Sequence, residues 1–349
     1  MRLDFNNVLC YTKIMKKKIL RFILRIFSLL ITIFILIMLA FTFSPIPGAM
    51  IVRHMFDSKV KITDKKTFDK VQGAVDISYD HQYRSLFKDN SYDLYLPKNT
   101  DHKIPVLVWI HGGGFIGGDK STLKEFATKL ASDAQIAVLS MNYQRAPESK
   151  YPNQVLQVGE LISSLQKDKS TVIDLSHVMF GGDSAGAQIA LDYVLTQTND
   201  THRNSLNIPH LLNKDNIRGT LSYCGPLNLK QMVNDKSRSG FMKFFVQTVA
   251  WSELGTKHWE SSPSLEESSL VSQLTRDFPP TYITDGNSYS FEEQGMAFEK
   301  RLKQFEVPVQ TLFFNHSTKK ISHEYQFDYS KTEARQCYSQ TLSFIEKYK

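Results

Sequence analysis

The sequence predicts an α/β fold, a mostly parallel central sheet flanked by helices and carried behind an apolar N-terminal helix. Three observations lead there. From Tyr92 onward, short runs of β-branched, aromatic and aliphatic residues alternate with segments of ten or more residues that have helical spacing, the rhythm of parallel strands joined by crossover helices. Two of these runs end in glycine-rich turns, His111 to Phe115 (HGGGF) and Gly182 to Gly186 (GDSAG), at the sheet edge where open α/β folds place their chemistry. Upstream, Ile26 to Phe43 is a run of eighteen residues without a charge, just long enough to cross a bilayer.

Taken in order, residues 1–25 form a basic segment carrying Lys13, Lys16, Lys17, Lys18, Arg21 and Arg25. By the positive-inside rule this segment is cytoplasmic, residues 26–44 are a single-pass transmembrane anchor, and the remaining chain lies outside the cell membrane. A cleaved signal peptide is the competing reading. Against it, the hydrophobic core is longer than usual, and Ala40 to Ala49 offers Phe, Pro and Ile where small residues are wanted. Met15, followed by three lysines, resembles a start in its own right, an alternative to Met1. Residues 1–44 hold seven basic residues and one acidic one, so the net charge of +7 leaves the rest near +1. The basic balance is therefore topogenic and gives no reason to invoke nucleic acid.

Residues 45–90 read as a linker that contributes to a cap, with weak helical character around Thr67 to Gly73. The body, residues 91–349, carries strands at Tyr92–Leu96, Val106–Ile110, Ala137–Asn142, His177–Phe180, Gly219–Tyr223, Thr281–Thr284 and Val309–Phe314. Residues 227–276, rich in aromatics at Phe241, Phe244, Phe245, Trp251 and Trp259, interrupt the rhythm and read either as an inserted lid or as ordinary helix packing. There are no internal repeats. At 349 residues the chain suits one domain plus an anchor. Cys10, Cys224 and Cys337 show no metal spacing, and at most one disulfide is possible within the body.

The chemistry centres on Ser184. The apolar run Ile173 to Phe180 reads as a buried strand, and Ala185 to Leu195 has helical spacing with Ala, Ile and Leu on one side. Ser184 therefore occupies a tight strand-to-helix turn, which strains the backbone and aims the free N–H groups of the following helix at the reaction centre. The three glycines after His111 let backbone N–H groups point into a cavity with no Cβ in the way, which suits an oxyanion. A general base belongs late in the chain. His323 ends the polar loop 315–322 before a C-terminal helix near Lys331 to Tyr348. His316, in the same loop, reads as solvated, and His111 as orienting the glycine loop.

These motifs, with Tyr143 to Glu148 (YQRAPE), Tyr151-Pro152 and the late His323, resemble the hormone-sensitive-lipase-like carboxylesterases of the α/β-hydrolase fold. The resemblance covers about three quarters of the chain. It implies an α/β-hydrolase with a small helical cap and an esterase with Ser184 as nucleophile and His323 as base. It further implies an oxyanion hole made by the N–H groups of Gly113, Gly114 and Ala185, and a structural Tyr143–Pro152 segment in which Arg145 and Glu148 lock a loop under the site.

The acid is where the chain departs from that family. An Asp-Pro-Leu-like turn is usual there, whereas this chain has Asp285-Gly286-Asn287-Ser288. Asp285 is the only carboxylate in the turn, yet Ser288 falls in the usual acid position. Glu292 and Glu293 lie just beyond, where they open a helix capped by Ser290. The site then comprises Ser184, His323 and Asp285, with Glu292, Glu293 or no acid as alternatives. The reading implies no metal and no organic cofactor, a small acyl ester as partner, and leaves the oligomeric state open. It favours a membrane-anchored serine carboxylesterase for short- to medium-chain acyl esters. A deacetylase or amidase acting outside the cell is one alternative, and a non-catalytic binding protein on a hydrolase fold is another.

Overall fold

A computed structural model describes residues 5–56, 60–170, 172–234 and 239–349, and the chain divides into two compact units, Met1–Gly48 and Ala49–Lys349. The first unit is dominated by one continuous helix, α1 (Phe5–Phe43). Within it Lys13–Phe43 is long and apolar enough to cross a membrane, and its Phe34 and Leu36 are about 60% exposed. The helix starts well before the charge-free run because the Lys, Arg, Ile and Leu residues ahead of that run are good or tolerable helix formers. A second helix, α2 (Ile46–Met55), follows with Pro47 in its first turn, where the missing N–H costs nothing.

The body is built on an eight-stranded sheet: β1 (Val75–Gln82), β2 (Ser91–Pro97), β3 (Ile104–Ile110), β4 (Ala137–Met141), β5 (Ile173–Asp183), β6 (Ile217–Tyr223), β7 (Thr281–Thr284) and β8 (Val309–Leu312). Their order across the sheet is 1-2-4-3-5-6-7-8. β1 pairs antiparallel with β2 and β2 with β4, while every other pair is parallel. The connecting helices are α3 (Lys65–Val71), α4 (Lys124–Ala134), α5 (Asn153–Lys167), α6 (Ala185–Thr198) and α7 (Asp200–Leu206). Further along come α8 (Gln231–Asn234), α9 (Gly240–Leu254), α10 (Pro263–Glu267), α11 (Glu292–Gln304) and α12 (Thr332–Tyr348).

β3 shows how the sequence builds two layers. Its residues are nearly all apolar, as a strand covered on both faces requires. Val106, Val108 and Ile110 enter one core with Val158 and Leu161 of α5 and Ile189 of α6. Leu107 and Trp109 enter the other with Phe126 and Leu130 of α4 and Phe344 of α12. The chain runs from β3 to β4 on one side and returns to β5 on the other, so the direction of winding reverses at β3/β5. The crevice at the carboxyl ends of such a pair is where doubly wound sheets bind ligands. Both glycine motifs sit there.

The seven expected strands are all present, most of them longer than expected. β1 is an addition: the stretch expected to be linker folds into α3 and a strand. Its alternation of Val75, Ile77 and Tyr79 with Asp76, Ser78 and Asp80 is the period-two signal that its many charges obscured.

Candidate active site

Ser184 follows β5 and immediately precedes α6, with φ 50° and ψ −122°. A non-glycine residue held there is strained. The fold enforces it. Ser184 N–H donates to the Tyr223 carbonyl at 2.8 Å, and a Cβ on Gly186 would collide with the Ile110 carbonyl oxygen. Strand β3 and the start of α6 can therefore approach only if residue 186 has no side chain.

The glycine loop is held from both sides. His111 is buried and stacks on Tyr143 at 4.6 Å between ring centroids. Its Nδ1 lies 2.7 Å from the Gly112 carbonyl oxygen, and burial pushes its pKa down to about 4. It is therefore neutral, and Nδ1–H donates to the loop. On the other side Gly112 N–H and Trp109 Nε1–H each donate to the Asp183 carboxylate at 2.8 Å. Burial, with the charge of Glu324, pushes the Asp183 carboxyl up. Gly113 has φ 118°, which a side chain would not tolerate. Among the described residues, the N–H groups of Gly113, Gly114 and Ala185 donate to no loop, turn or side-chain acceptor.

His323 Nε2 lies 3.0 Å from Ser184 Oγ. Its Nδ1 is 3.6 Å from Asp285 Oδ1, an ion-pair distance just beyond hydrogen-bond reach. Asp285 is buried, with Gly286 N–H donating to Oδ1 and Phe291 N–H to Oδ2, both at 2.7 Å. Burial alone would push the His323 pKa down. The Asp285 carboxylate outweighs it, with help from Glu324 and Asp183, and the net direction is up.

The alternative acids point elsewhere. Glu292 Oε1 accepts the Phe314 N–H at 2.9 Å, and Glu293 is exposed. Ser288 contributes its carbonyl oxygen to His323 N–H at 3.0 Å. Ser290 does not cap α11; Phe291 holds the cap position without a side-chain bond, and the Asp285 carboxylate takes its N–H instead. Glu148 bonds Arg53 at 2.6 Å, while Arg145 approaches Asp89 at 3.7 Å. His316 is exposed, and Cys224 and Cys337 are buried free thiols. Cys224, His323 and Glu324 bring ligand atoms within 4.8 Å of one another. Burial beside Asp285 and Glu324 pushes the Cys224 thiol up, however, which opposes the thiolate a metal needs.

A family model described as alpha/beta hydrolase fold matches residues 107–322 of this chain. The chain belongs to the α/β-hydrolases, in their hormone-sensitive-lipase-like branch. A protein of Acanthamoeba polyphaga mimivirus named as an α/β hydrolase is 28% identical over 95 residues, a match spanning 27% of this hydrolase and only 28% of that protein's length. Esterase B from Lactobacillus rhamnosis superposes with a TM-score of 0.65 at 20% identity, covering 87% of this chain and 96% of that one. A bacterial heroin esterase gives 0.62 at 21%, covering 86% and 96%. A hyperthermophilic esterase from Pyrobaculum calidifontis gives 0.61 at 17%, covering 86% and 93%. At these identities the likeness shows the fold.

Two residues around the site of this hydrolase escape a reading by motif. Asn287 Nδ2 donates to the carbonyls of Phe314 and Lys319 at 3.0 and 3.1 Å, and its Oδ1 accepts the Ile321 N–H at 2.9 Å. It thereby ties the acid turn to the loop that carries His323. The Phe291 ring meets the imidazole edge-on at 5.5 Å. An Asn in a turn was the available signal for the first; nothing local marks the second.

Proposed function

We propose that this hydrolase is a membrane-anchored serine carboxylesterase that cleaves short- to medium-chain acyl esters through an acyl-enzyme intermediate. The observation that carries the proposal is the 3.0 Å approach of His323 Nε2 to Ser184 Oγ on a strained strand-to-helix turn. In this reading Ser184 Oγ attacks the ester carbonyl while Nε2 takes its proton. The tetrahedral oxyanion forms beside the N–H groups of Gly113, Gly114 and Ala185, and collapses as Nε2–H protonates the departing alcohol. Water then enters, gives its proton to Nε2 and attacks the acyl carbonyl, and Ser184 leaves with the proton returned. Asp285 keeps Nδ1 protonated and offsets the imidazolium charge; catalytic hydrogen bonds are often long in an empty site and tighten around substrate. Three of the structural neighbours are themselves named esterases, which supports the reading.

The anchor is part of the proposal. The charge-free run ending at Phe43, preceded by lysines and arginines, supports a single span with the body outside the membrane. The catalytic reading is tested by assaying the detergent-solubilised full chain on p-nitrophenyl acetate and butyrate. Ser184→Ala is expected to lose at least about a thousandfold in kcat, since members of a triad act as a unit. Near-native turnover by that variant would remove Ser184 from the mechanism.

A further inference from the structure

At Gly114 and Gly117 the glycine loop is covered in part by Phe56, from the stretch that reads in sequence as a linker contributing to a cap. A Cβ placed on Gly114 would stand 3.5 Å from Phe56 Cε2, 3.5 Å from Phe245 Cζ and 3.6 Å from Val249 Cγ2. Phe56 also lies along Gly117, its Cβ 2.8 Å from where a Cβ there would be. The Phe56 and Phe245 rings are 6.3 Å apart and tilted by 55°. All three side chains are only partly buried, so they form an apolar wall still open on one side, against Gly114, whose N–H is one of those assigned to the oxyanion.

The wall is fixed. Arg53 Nε donates to the Ile116 carbonyl at 2.8 Å, its Nη2 to the Ala146 carbonyl at 2.9 Å, and its Nη1 and Nη2 to the Glu148 carboxylate at 3.1 and 2.6 Å. Ala49 and Val52 of α2 are buried in the main core. Four directed hydrogen bonds from a rigid guanidinium fork, on a helix seated in the core, leave Phe56 little freedom.

We infer that Phe56, latched by Arg53, sets the length of acyl chain the enzyme accepts. This rests on the esterase reading above. An ester whose carbonyl oxygen sits at Gly113 and Gly114 then lays its acyl chain against Phe56, Phe245 and Val249, side chains that offer no hydrogen bond to a charged or hydroxylated chain. A short unbranched aliphatic acyl group fits; a longer one meets the two rings.

The test compares kcat/KM of the detergent-solubilised full chain on p-nitrophenyl butyrate and octanoate. Phe56→Ala is expected to raise the octanoate-to-butyrate ratio by at least about tenfold, the lower end of what one methylene's worth of pocket is worth. Phe56→Leu should give an intermediate rise, and Arg53→Ala should move the ratio the same way. Fluorophosphonate labelling of Ser184 reports an intact site in each variant; if Phe56→Ala is not labelled, Phe56→Leu decides. Labelled variants whose ratios stay within about twofold of wild type would overturn the inference and leave the esterase reading standing, because each methylene of fit should register. A wild type that neither hydrolyses esters nor takes the label would instead overturn the reading beneath it.

Discussion

Asp285 faces His323 Nδ1 across 3.6 Å, while its own two oxygens are already engaged by backbone N–H groups. Those bonds hold the carboxylate in place, and in the proposed mechanism it orients the imidazole without being displaced. Asp285→Asn is therefore expected to leave the fold intact and lower kcat by several orders of magnitude, as the equivalent change does in a serine protease by about 10⁴. Glu292→Gln should leave kcat nearly unchanged, because its carboxylate serves the Phe314 N–H and not the imidazole. Steady-state kinetics on both variants checks this; a mild effect at Asp285 with a severe one at Glu292 would exchange their roles. Ser184 was legible because it stands in a short pattern whose chemistry is local, and His323 because it ends a polar loop late in the chain, where the order of the motifs calls for a base. Asp285 was legible only as the lone carboxylate in a turn. The partners of Asn287 lie on a loop that the fold brings back to it, so no window around residue 287 contains the reason it matters.

Asp285, on the turn after β7, brings most of the negative charge to the imidazole, Glu324 beside His323 adds to it, and Asp183 at the end of β5 contributes least, its own carboxyl being pushed up. Together they outweigh burial and raise the His323 pKa. In the proposed mechanism the neutral imidazole is the base, so activity should be lost as pH falls through that raised value, and the acid limb of kcat/KM should lie above the free-imidazole value of about 6.5. Glu324→Gln removes one of the negative charges and should move the limb to lower pH with the plateau little changed. A limb that stays in place or rises in a pH-rate profile would contradict this account. At this scale the sequence was most readable where elements are apolar and buried, as in β3, and least where charge interrupts a strand, as in β1. The Arg53 to Glu148 bond joins residues 95 apart in the chain, and neither residue carries a local sign of the other.

Across the whole molecule, the body is folded around two large cores, with a small cluster at Val246, Trp259 and Leu265 among the described residues, and the N-terminal unit adds a helix of different character, apolar and exposed at most of its positions. If that helix is the proposed anchor, the full chain should stay in the membrane fraction through high-salt and carbonate washes. Protease added to intact cells should digest the body, and a soluble secreted form with a new N-terminus between Ala40 and Ala49 would replace the anchor with a cleaved leader. The central claim is chemical, however: one strained serine carries the acyl group. Labelling the full-length chain with a fluorophosphonate and mapping the modified peptide addresses it most directly. The account predicts a single adduct on Ser184, absent from Ser184→Ala and slowed in Asp285→Asn; an adduct on another residue, or none from a chain that hydrolyses esters, would contradict it.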